Sequence, residues 1–204
     1  MYPLNPMKLY ATPPAMDDQD CSARLDRILA ALGRSRGELV VVTDDNRPAV
    51  ADELLHALWT ADAAGPADRP GYSRPLVFTT VDCRNEDDRG DVADRVAACG
   101  EGLESAARHL LGQFTLVRPT HPRQADQRDD AVCWPTMDFG LQVGCPHGCA
   151  YCWHGKWGQY IALAMNVEEY CRQVVRPTIE VNPWQRCFRM IGWASDIITF
   201  ELEY

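Results

Sequence analysis

Apolar and polar positions alternate along the chain in two distinct rhythms. Glu38-Leu-Val-Val-Val-Thr43 and Pro75-Leu-Val-Phe-Thr-Thr-Val81 are short, β-branched, nearly unbroken apolar runs, which predicts two buried strands. Between them Val50, Leu54, Leu58 and Ala61 recur at helical spacing, so an amphipathic helix is expected from about Pro48 to Asp62. Asp44-Asp-Asn-Arg-Pro48 supplies its caps and a proline suited to a helix start. Val92, Val96, Cys99, Leu103, Ala107 and Leu110 mark a second helical face. Gly100 and Gly102 interrupt it, each at a cost of about 1 kcal/mol relative to alanine, and predict a kink. Gln113-Phe-Thr-Leu-Val117 is the expected third strand. Strand, helix, strand, helix, strand is the pattern of a small parallel α/β module, assigned to residues 21–135.

The flanks of that module differ from it. Met1 to Asp20 holds Pro3, Pro6, Pro13 and Pro14 with no apolar run, and reads as a poorly ordered lead-in over residues 1–20. It is neither a signal peptide nor a membrane span. Pro119 to Asp130 is polar and proline-bearing, which sets a domain boundary in or just after it, with a second domain over residues 136–204. There Asp138-Phe-Gly-Leu-Gln-Val143 is an expected strand. Asn166 is expected to cap a helix facing inward through Val167, Tyr170, Cys171 and Val174, ending at about Arg176 before Pro177. Arg186 to Gly192 is another expected strand, followed by a loop at Ala194-Ser-Asp196.

Composition narrows the class. The 204 residues are 46 % hydrophobic and 24 % charged, ordinary values for a globular protein of one or two domains. Nine cysteines, an odd number in a chain that is not small, argue against a disulfide framework and for a reducing, cytoplasmic setting. Formal net charge is −9, and residues 140–204 carry only −1 of it. The chain lacks the broad basic footprint of a nucleic-acid binder. Neither GxGxxG nor GxxxxGK[ST] occurs, so no nucleotide site of those types is indicated. Asp44 and Asp45 follow a strand, where α/β sheets often place ligand groups, but a helix cap is the plainer role. Cys21, Cys83, Cys99 and Cys133 are scattered without ligand spacing and read as packed thiols.

Cys145-Pro-His-Gly-Cys149-Ala-Tyr-Cys152 is different. Three thiols spaced CxxxCxxC on a loop broken by Pro146 and Gly148 can converge on one soft metal centre. Four readings of the residues stay open. The cysteines hold an iron–sulfur cluster, or with His147 or His154 they hold zinc, or Cys149 and Cys152 form a dithiol pair, or all three are buried, inert thiols. The motif resembles that of the radical S-adenosylmethionine (SAM) enzymes, CxxxCxφC, with Tyr151 as the aromatic before the last cysteine. The resemblance implies that Cys145, Cys149 and Cys152 ligate a [4Fe–4S] cluster whose open iron is chelated by SAM, and that Tyr151 lies against the adenine.

Tyr160-Ile161 leading to Asn166-Val-Glu-Glu, and Ser195-Asp196-Ile197, are similar to the spore photoproduct lyase branch of that superfamily. That similarity implies that Ser195 contacts SAM, and it is the sole reason to consider a nucleic-acid substrate. Trp193 and Ala194 stand where the branch carries its hydrogen-donor cysteine, and the nearest cysteine is Cys187. The implied fold is a small α/β module followed by the start of a partial TIM-like barrel, two βα units in all. An interrupted barrel leaves an open strand edge near Ile191, Ile197, Ile198, Phe200 and Leu202, so a second polypeptide that completes it is expected. The alternative is a zinc- or cluster-binding accessory protein without turnover.

Overall fold

The structure, a computed structural model, describes residues 8–56, 74–84, 86–114, 117–119, 136–145, 160–181 and 187–193. Its centre is a strand that the sequence pattern does not announce. β1 (Leu9–Ala11) lies between β2 (Leu39–Val41) and β3 (Leu76–Thr79), parallel to both. All three of its residues are at most 1 % exposed. The expected lead-in over residues 1–20 is thus corrected: from Leu9 onward it is core strand, then α1 (Pro13–Asp17). Three residues among prolines are too few to show a period, and the strand is fixed by neighbours on both sides instead.

β6 (Ile161–Ala164) extends the parallel set beyond β3, with Leu76 opposite Ile161 and Thr79 opposite Ala164. β5 (Thr136–Val143) runs antiparallel to β6 and also pairs antiparallel with β4 (Val117–Pro119). β7 (Cys187–Trp193) runs parallel to β5 along its length, with an irregularity between Gly140 and Val143. The result is one seven-stranded mixed sheet in an α/β fold. Strands from residues 21–135 and 136–204 share it, so the boundary near residue 135 does not separate two sheets.

Strand periodicity sends alternate side chains to two cores. Leu9, Ala11, Leu76, Phe78, Ile161 and Leu163 meet Cys21, Leu25, Ile28 and Leu29 of α2 (Gln19–Ala31) on one face. Tyr10, Val77, Ala162 and Ala164 meet Val50, Ala51 and Leu54 of α3 (Arg47–His56) and Leu110 of α5 (Glu104–Leu110) on the other. Burying a side chain of this size contributes about 1.5–3 kcal/mol, so the opposed layers stabilise the short strands. The chain crosses from β1 to β2 past α2, then from β2 to β3 past α3. β1 and β3 are therefore the point where strand order reverses.

Several helical expectations shift. The helix expected over Pro48–Asp62 starts at Arg47 and is described to His56, with residues 57–62 outside the described ones. The kinked second helix is two helices, α4 (Gly90–Ala97) and α5, because Gly100 and Gly102 take φ of 109° and 82°. The third strand is Val117–Pro119, and Phe114 packs in the core ahead of it. The helix expected to stop at Arg176 instead continues as α6 (Val167–Tyr170), a π-helical turn (Cys171–Val175) and α7 (Arg176–Val181). The wider turn re-phases the ladder so that Pro177 falls in the first turn of α7, where its missing N–H costs little. Thr178 Oγ1 donates to the Val174 carbonyl at 2.7 Å.

Candidate functional site

The direction of the strands gives the sheet two chemically distinct ends. β1, β2, β3 and β6 share one direction, and their carboxyl ends form one edge. β5 and β7 run the other way, with Val143 registered against both Ala162 of β6 and Trp193 of β7. Their carboxyl ends lie at the opposite edge, and β5 delivers Cys145 there.

The approach to Cys145 is built from backbone contacts. Gly144 has φ of 80°, and a Cβ there would stand 1.9 Å from the Tyr160 carbonyl oxygen, so only glycine fits. Buried Gln142 donates from Nε2 to the Gly144 carbonyl at 3.0 Å. Arg74, 3 % exposed, donates from Nη1 to the Cys145 carbonyl at 3.1 Å. Cys145 itself is half-buried. Tyr160, whose carbonyl faces Gly144, shares through Oη a hydrogen bond of 2.5 Å with His109 Nδ1. Burial pushes His109 down to about 4, which keeps the ring neutral, and raises the Tyr160 phenol.

Cys149, Tyr151, Cys152 and Ser195 lie outside the described residues. Ser195 follows Trp193 in the sequence at the same spacing by which Cys145 follows Val143. Among the described residues no group of three or more His, Cys, Asp or Glu could hold a metal ion, and no disulfide is formed. No helix among them is long and apolar enough to cross a membrane. No family model, curated protein or solved structure matches this chain.

The opposite edge holds a cleft of about 480 Å³ that the sequence reading missed. Its floor is where β1 and β3 end, and Thr12 Oγ1 lies 3.4 Å from Thr79 Oγ1 across it. Asn166, expected as a helix cap, does something else: it accepts from the Val81 N–H at 2.7 Å and donates to the Val81 carbonyl at 2.9 Å. This ties the end of β6 to the loop after β3. Gly112 closes the same loop, since a Cβ on it would stand 2.4 Å from the Thr80 carbonyl oxygen.

An alternating chain of charges runs round this edge. Arg84 pairs with Asp82 at 2.8 Å and Asp91 at 3.2 Å, Arg95 with Asp91 at 3.3 Å and Asp44 at 2.9 Å, and Arg47 with Asp44. Arg47 and then Arg95 hold the Asp44 carboxyl below its ordinary range. Cys21 and Cys83 also line the cleft, and burial raises their thiols to about 12 and about 11, so both are inert packed groups at neutral pH. The scattered lining of this cleft, from Thr12 to Gln173, carries no local motif, and only the positions after strands hint at it.

Proposed function

We propose that this chain is a [4Fe–4S]-binding radical SAM protein resembling spore photoproduct lyase, in which Cys145, Cys149 and Cys152 hold the cluster. The observation that carries the reading is the CxxxCxxC loop entered from the carboxyl end of β5, with β7 parallel beside it and ending at the same edge. β5 and the parallel β7, joined through β6, α6 and α7, supply one strand–helix–strand step of the kind a partial barrel begins with, and the sites of such barrels stand at the carboxyl ends of strands. Ser195 and Tyr151 are the SAM-contacting residues in this reading. A second polypeptide completing the sheet beyond β7, a cytoplasmic setting and a nucleic-acid substrate belong to the same proposal.

Three thiolates suit a four-iron cubane with one iron left open, and the donor set fits. When bound, such a cluster supplies the electron that cleaves the C5′–S bond of SAM into methionine and a hydrogen-abstracting 5′-deoxyadenosyl radical. The chain's own part is placement. Gly144 lets the backbone pass against Tyr160, Gln142 and Arg74 pin the two carbonyls before the loop, and Arg74 brings positive charge to the end where three thiolates gather.

Anaerobic reconstitution with iron and sulfide, followed by metal analysis and a SAM-cleavage assay, tests the proposal. The expected result is about four irons per chain, lost in Cys149→Ala, and SAM cleavage on reduction. Zinc without iron would refute it. A cluster without cleavage would assign the chain to cluster binding alone.

A further inference from the structure

The cleft opposite the cysteines stands at the topological switch point of the parallel strands, between the carboxyl ends of β1 and β3. Open α/β sheets bind ligands at that place because neighbouring loops diverge there and leave a crevice. Its volume of about 480 Å³ lies in the range of small-molecule sites. Nothing in the cysteine reading uses it.

Three carboxylates of the lining are engaged, whereas two arginines keep unspent donors. The Asp18 carboxylate caps α2 by accepting from the Cys21 N–H at 2.9 Å. Glu169 accepts from Asn166 Nδ2 at 2.9 Å and Gln173 Nε2 at 2.8 Å. Asp82 is taken by Arg84 and by Gln113 Nε2. Arg47, by contrast, is only 7 % exposed and its Nε has no hydrogen-bond partner, and the same holds for the buried Nε of Arg95. A buried guanidinium with an unspent donor calls for an acceptor.

The anion now shared by these two arginines is the Asp44 carboxylate, and its side chain is 71 % exposed. It sits over the cation from the solvent side and can turn away into water at little cost. The Arg95–Asp44 pair, exposed on both sides, contributes at most about 1 kcal/mol. α3 also begins at Arg47, which turns its positive dipole end to this edge. A monocarboxylate would offer only what Asp44 already offers. A phosphate brings a third oxygen and a second charge, which matches two guanidinium forks with free donors.

We propose that this cleft binds a phosphate-bearing small molecule whose phosphate displaces the Asp44 carboxylate from Arg47 and Arg95. Isothermal titration of the iron-free 204-residue chain in low-chloride buffer tests it, with inorganic phosphate, adenosine 5′-monophosphate and adenosine as probes. Phosphate and the monophosphate are expected to bind and adenosine is not. Arg95→Gln should weaken phosphate binding about tenfold or more. Asp44→Asn should tighten it severalfold, a gain that a damaged fold does not produce. Absence of binding by both wild type and Asp44→Asn up to about 10 mM phosphate, near the weak end of measurable affinities, would overturn the proposal. So would unchanged affinity in Arg95→Gln, no gain in Asp44→Asn, or adenosine binding as well as its monophosphate.

Discussion

The two ends of the sheet were assembled in opposite ways. At the cysteine end the proposed chemistry sits in one contiguous stretch of sequence, Cys145 to Cys152, and the fold contributes its entry: Gly144 against Tyr160, with Gln142 and Arg74 on the carbonyls. At the cleft end no local stretch carries chemistry. Thr12, Arg47, Thr79, Arg95 and Asn166 come from five separate segments and meet because four parallel strands stop at one level. A site made by one loop survives in the sequence as a motif. A site made by topology exists only after strand order is set.

That contrast can be broken by crossing the effects. Gly144→Ala is the most severe change, since its Cβ would fall 1.9 Å from the Tyr160 carbonyl oxygen at a φ of 80°. A loss of more than about 3 kcal/mol in chemical denaturation is expected, together with loss of reconstituted iron. Gly112→Ala meets the Thr80 carbonyl at 2.4 Å and should cost about 2–3 kcal/mol. Here phosphate affinity should fall while iron content stays. If Gly112→Ala removed iron and spared phosphate, the two ends would not be separate sites.

Asn166→Ala leaves the buried Val81 N–H without its partner and the Val81 carbonyl with only the Cys83 thiol at 3.7 Å, for an expected loss of about 2 kcal/mol. Asn166→Asp keeps the acceptor and loses the donor, so a stability equal to Asn166→Ala would show that the Val81 N–H bond contributes nothing. Smallest per step is a pH slope from His109. His109 is depressed to about 4 by burial, so below about pH 6.5 the unfolded chain takes up a proton that the folded one refuses. Stability from this group is complete above that pH and falls as pH drops toward 4, by on the order of 1 kcal/mol per unit. His109→Phe should lack that slope, so that it appears in full in the difference between the two denaturation series, and an unchanged slope in the variant would place the titration elsewhere.

β3 was legible because its apolar run is dense enough to need burial on both faces, whereas β2, expected to be equally buried, is an edge strand with Val41 39 % exposed. The helices of the middle region were legible from Val50, Leu54, Val92 and Val96. β1 was not, since Leu9-Tyr10-Ala11 becomes strand only through Leu39 and Leu76 on either side. Asn166 was misread because a helix start and a bridge to Val81 ask for the same residue type, and distance in space decides between them. Pro177 was misread because the π-turn that accommodates it has no composition of its own. At the cysteine end Cys145 was visible at once, whereas Arg74 was not, because it acts from the segment just before β3, remote in sequence.

β3 and β6, which separate the two edges, are four residues long apiece. At the rise of an extended chain this is roughly 13 Å of backbone. Across such a thin slab of protein, two unit charges interact by roughly 1 kcal/mol at an effective dielectric of 20. The proposed dianion, seated on one edge, would be felt on the other as a change of about tenfold or more in the affinity for a charged group. By thermodynamic reciprocity the second occupant returns the same factor to the first. The shortness of two strands makes the molecule an electrostatic coupler without any moving part.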